Sequence, residues 1–127
     1  MNRMIKDKTS IRPVIRNIGT IENKNPAERF QNVTLRPIIK LQHELLVAFF
    51  QHYLKKRKID FSGLSDLKKN EVISKAFKKD NLFKTEIRAL VLAHFTLEEY
   101  RAYQTIAADA NKRIITMIEE RLQSVTL

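Results

Sequence analysis

The sequence predicts an all-α protein, a compact bundle of four to five helices behind an extended N-terminal arm. Three observations carry this. The 127 residues hold only two glycines and three prolines, too few for the many turns of a β-sandwich or barrel. From Phe30 onward the apolar residues recur at steps of three and four, the period of a helix with one buried face. Cysteine is absent, so no disulfide or thiolate metal site stabilises the fold, and the length suffices for a core without them.

Residues 1–24 read as a flexible or extended basic arm, and residues 25–127 as one helical-bundle domain. In the arm, Pro13 and Gly19 oppose a helix. Ile11, Val14, Ile15, Ile18 and Ile21 alternate loosely with Arg12, Arg16 and Lys24. Residues 1–10 are expected to be mobile, and 11–25 to lie along the bundle or along a second subunit.

Asn25-Pro26-Ala27-Glu28 is a helix start: asparagine caps, proline suits the first position, and glutamate takes the capping-box place. Pro37 interrupts, because it lacks an N–H and its ring crowds the carbonyl of Val33. A short helix then ends near Leu35 and the main one begins at Pro37; the alternative is one helix kinked there.

Pro37 to Lys58 is the expected central helix. On a helical wheel Ile38, Leu41, Leu45, Phe49 and Tyr53 form one broad face, and Ile39, Leu46, Phe50 and Leu54 widen it past half the circumference. Only Lys40, Glu44, Gln51 and Lys55 make a polar strip, so companions are expected on nearly all sides. The helix ends in Lys55-Lys56-Arg57-Lys58, cations that complement a helix C-terminus. In the loop that follows, Gly63 is the expected special backbone position.

The next helix begins near Leu64 to Leu67, capped by Ser62 or Ser65, with Val72, Ile73, Ala76 and Phe77 inward and lysines outward. Asp80-Asn81 breaks the pattern, and a further helix carries Leu82, Phe83, Ile87, Leu90, Val91, His94 and Phe95. Thr96 and Glu99 form a second capping box. From there one helix is expected to run to about Ser124, spanning about 40 Å at 1.5 Å per residue. Its far end is expected to project, leaving a stripe of Ile114, Met117, Ile118 and Leu122 for a second copy of the chain.

The net charge of +10 is uneven: residues 55–88 hold eleven Lys/Arg against five Asp/Glu, whereas residues 89–127 hold four against five. Lys55, Lys56, Arg57, Lys58, Lys68, Lys69, Lys78 and Lys79 are candidates for one anion-binding patch. The run lacks the interleaved aromatics of a single-strand binder and the Arg/Asn/Gln of a recognition helix. It therefore fits weak, salt-sensitive association indifferent to sequence.

No constellation specifies a reaction. His43 and His52 are nine residues apart, about 180° round one helix, and cannot share a metal from it. Glu98/Glu99 and Glu119/Glu120 are sequence neighbours that point apart, and no Ser-His-Asp order or glycine-rich phosphate loop occurs. No catalytic residue, metal ligand or cofactor is assigned. Gln42 is the odd polar residue in the apolar arc. Either it bonds a backbone group freed by Pro37, or with Arg36 and His43 it lines a small polar pocket that an enzyme would need. The N-terminus lacks a signal-peptide pattern and no run is long enough for a membrane span, so the cytoplasm is the expected compartment.

The stretch ERFQNVTLRPIIKLQHELLVAFFQHYLKKRK (Glu28 to Lys58) and the ending Glu120-Arg121-Leu122-Gln123-Ser124 resemble a small family of uncharacterised, all-helical bacterial proteins, some of which carry the label glyoxalase. That label implies βαβββ modules with His/Glu metal ligands. The sequence supplies neither, so no catalytic residue is carried over. The reading from the residues is a non-enzymatic helical protein acting through protein–protein contact as a homo-oligomer, a dimer first. The alternative is a basic module for nucleic acid or another polyanion.

Overall fold

The computed structural model describes residues 8–14 and 25–125. The expectations for residues 1–7 and 15–24 of the arm lie outside the described residues; residues 8–10, expected to be mobile, instead form a helical turn that Lys8 ties to the Phe95 carbonyl. Among the described residues the chain is all-α, with no strand. The helices are α1 (Pro26–Phe30), α2 (Arg36–Leu41), α3 (His43–Lys56), α4 (Asp66–Lys79), α5 (Asn81–Leu92), α6 (Leu97–Thr105) and α7 (Ala107–Ser124), with a π turn at Gln31–Leu35 between α1 and α2.

Among the described residues from Pro26 onward, seven helices replace the four to five expected, because two helices read as continuous are each broken at one residue. Gln42 (φ −92°, ψ 10°) divides α2 from α3, and Ile106 (φ −131°, ψ 24°) divides α6 from α7. Neither break carries a glycine or proline, the usual marks of an interruption. The final helix is thus 18 residues, about 27 Å long rather than about 40 Å.

Asn25 caps α1 through its side chain, which accepts the Ala27 N–H, as expected, but Glu28 does not return a bond to close the capping box. Pro37 neither ends the helix nor starts a new one. The backbone stays helical through Leu35 and Arg36, and the Arg36 N–H bonds the Gln31 carbonyl five residues back. The widened turn absorbs the proline's missing donor within a continuous rod.

α7, rather than the Pro37–Lys58 helix, is the hub. It packs on α1, the π turn, α4, α5 and α6. Ala110, Ile114, Ile118 and Leu122, four residues apart, are all at most 1% exposed, and Met117 packs partly buried against the same core. These residues fill the chain's own interior, which removes them from the surface where a second copy was expected to dock. The central-helix reading holds for Ile38 and Ile39 of α2 and for Leu46, Phe50 and Leu54 of α3. It fails on the outer side of α3, which packs mainly on α5: Leu45 and Ala48 are exposed, and Val47, Phe49 and Tyr53 are only partly buried against the core. An apolar circumference reports how greasy a helix is, not how many neighbours reach it.

Phe83 anchors the opposite end of the core. Its ring meets Tyr53 at 4.4 Å and Phe77 at 5.1 Å between centroids, with Phe49 and Phe50 beyond. This cluster ties the C-terminal half of α3 to α4 and α5, and so sets the groove described next.

Candidate anion-binding groove

Where α3 ends beside the α4–α5 junction lies a hollow of about 560 Å³. The end of α3 supplies Tyr53 and the C-cap residue Arg57. One face of α4 supplies Val72, Lys75, Ala76 and Lys79, spaced by threes and fours. Asp80 and Asn81 close the end. The charged lining is thus three cations against one carboxylate.

Asp80 organises the site. Its backbone is extended, and one carboxylate oxygen accepts the Phe83 N–H at 3.0 Å, so it caps α5. The other pairs with Arg57, whose guanidinium also lies 5.4 Å from the Tyr53 ring centre. The Phe83 N–H, then the Arg57 charge and the Tyr53 hydroxyl, hold the Asp80 carboxyl below the usual carboxylate value against the opposing effect of burial. Tyr53 moves the other way: burial and the Asp80 charge raise its phenol. Arg57 is thereby fixed in place with its side chain still 56% exposed. Lys75 and Lys79 stand beside it without an ion pair among the described residues.

Of the eight residues expected to form one patch, the structure brings only Arg57 and Lys79 into this groove. Lys55 lines a different hollow of about 410 Å³ with His52 and Phe61. Lys69 lies over the Phe61 ring, 5.5 Å from its centre, and borders a third hollow of about 330 Å³. Lys56, Lys58, Lys68 and Lys78 are exposed. A run of four consecutive cations fans round a helix end, so adjacency in sequence does not become adjacency in space. Tyr53 and Asp80 were missed as site residues. Asp80 three residues before Phe83 is legible as a cap; its grip on Arg57 is not.

The expected polar pocket of Arg36, Gln42 and His43 does not form as one cluster. Gln42 is 5% exposed and donates from Nε2 to the Leu90 carbonyl at 2.9 Å. That carbonyl is free because the His94 N–H bonds Val91 instead, so Gln42 caps the end of α5 rather than serving Pro37. Arg36 bonds Asn32, and His43 faces Arg121. The three histidines stay apart, and no group of three or more His, Cys, Asp or Glu among the described residues is placed to hold a metal ion. No helix among them is long and apolar enough to cross a membrane. No protein-family model matches the chain, and comparison with curated proteins and with solved structures finds no match either.

Proposed function

We propose that this protein binds the phosphate backbone of nucleic acid without reading its sequence. The observation that carries this reading is the groove: Arg57, Lys75 and Lys79 share one face, Arg57 is pre-set by Asp80, and exposed Lys68 and Lys78 lie on the same helix, α4. Such an array attracts phosphates by displacing their counterions. Tyr53 lies beneath Arg57 and packs on Phe83, so it is not free to stack on a base. The reading as an oligomer acting through protein contacts loses its motivating stripe, since Ile114, Ile118 and Leu122 are internal.

A salt titration against a generic duplex tests the proposal. Binding should be measurable at about 50 mM salt and fall steeply as salt rises. The Arg57→Gln/Lys75→Gln/Lys79→Gln variant should flatten the log–log slope by about 2–3. No binding at that low salt, or an unchanged slope in the folded variant, overturns it.

A further inference from the structure

We infer that the hollow between α3 and the loop behind it binds a small carboxylic acid with an apolar body. Lys58, left-handed at φ 56°, turns the chain back, and the Ile59 N–H closes on the Leu54 carbonyl at 3.0 Å. The returning loop sets the Phe61 ring on Phe50, 5.8 Å between centroids and nearly perpendicular. Between loop and helix lies a hollow of about 410 Å³, within the range that small ligands fill.

The helical wall is one face of α3. Ala48, Gln51, His52 and Lys55 follow at steps of three, one and three. Tyr53 and Arg57 of the groove stand two residues either side of Lys55, about 160° from it round the axis. The hollow and the groove share no lining residue, so this site is independent of the phosphate-binding reading.

The lining joins an apolar floor to one cation. Leu54 and Phe61 are 5% and 7% exposed. Phe61 is pinned by Phe50 and by Lys69 Nζ, 5.5 Å from its ring centre, so the floor is preformed. Lys55 is the one lysine or arginine of the lining, and it has no ion pair among the described residues. Neither neighbouring carboxylate lines the hollow: Glu44 lies one turn before Ala48, and Asp60 accepts from Ser62 Oγ at 3.5 Å. Gln51 and His52 add neutral N–H donors beside the ammonium. One ammonium with such donors matches a single negative charge, that of a carboxylate, better than a phosphate dianion. The floor then takes the rest of the molecule.

The test is an NMR titration of the full chain with 3-phenylpropanoate, following the Gln51 side-chain amide and the Ser62 backbone N–H. Both signals should move saturably, with a Kd of about 5 mM or tighter for a molecule of this size. Acetate, which lacks the apolar body, and 3-phenylpropanol, which lacks the charge, should each bind about tenfold or more weakly. Lys55→Gln should weaken 3-phenylpropanoate about tenfold. Ala48→Phe, at an exposed helical position, should fill the hollow and abolish the shifts. Lys75→Gln, in the groove, should leave them unchanged. Absence of saturation with 3-phenylpropanoate in the wild-type chain overturns the inference, whatever the variants do. So does equal binding of 3-phenylpropanol, tighter binding of phenyl phosphate, or undiminished binding by a folded Lys55→Gln protein.

Discussion

The Arg12 guanidinium closes on the Glu99 carboxylate with two hydrogen bonds, of 2.6 and 2.8 Å, across 87 residues of sequence. The same carboxylate accepts the Thr96 N–H at 2.9 Å and so completes the capping box that starts α6. Arg12 also donates to the His94 carbonyl at 2.6 Å, and Lys8 to the Phe95 carbonyl at 3.0 Å. The segment 8–14 therefore supplies cations to the free carbonyls beyond α5, where they complement the helix dipole.

Arg12→Ala should destabilise the fold by about 2–4 kcal/mol in urea denaturation, because the Arg12 side chain is only 7% exposed and its loss strands a largely buried carboxylate. An effect under about 0.5 kcal/mol would class the contact with ordinary surface ion pairs.

Two groups at this junction set the acid response. Burial, then the charges of Arg12 and Lys8, hold His94 below its ordinary 6.5. Burial raises the Glu99 carboxyl, but the Arg12 and Thr96 hydrogen bonds outweigh it and leave it below its ordinary 4.5. Both folded values are depressed, so the unfolded chain binds the protons more readily, and each contribution is complete above the ordinary value. Stability should fall in two stages on acidification, below 6.5 and again below 4.5. In denaturation series across pH, His94→Asn should remove the upper stage. Glu99→Gln should converge on the wild type at the acid end.

α3 ends in a Schellman motif: Ile59 N–H bonds the Leu54 carbonyl and Lys58 N–H the Lys55 carbonyl, both at 3.0 Å. The position that glycine ordinarily fills is Lys58, at φ 56°. Gly63, expected to be the special backbone position, is not left-handed, and a Cβ there would meet Asp60 at an ordinary 3.5 Å. Lys58→Gly should therefore stabilise the protein by about 1 kcal/mol, while Gly63→Ala should not cost stability. The denaturation midpoints of the two variants check this.

Ile118→Ala should cost about 2–5 kcal/mol, the range for truncating a fully buried aliphatic side chain. The loss should not depend on protein concentration, because the side chain packs within its own chain. A concentration-dependent loss would restore the stripe to an interface between copies.

Much of this protein was written locally in its sequence. The helical class, the caps at Asn25 and Thr96, and the inward set of Ile73, Ala76 and Phe77 follow from residue type and spacing, because a cap or an amphipathic face is settled within one or two turns of chain. Tertiary structure decided which helix became the hub, where Gln42 found its acceptor and which cations share a groove. Those outcomes depend on contacts between distant segments, such as Gln42 with Leu90 or Arg57 with Asp80. A local pattern states that a face must be buried or a charge solvated, and only packing selects the partner.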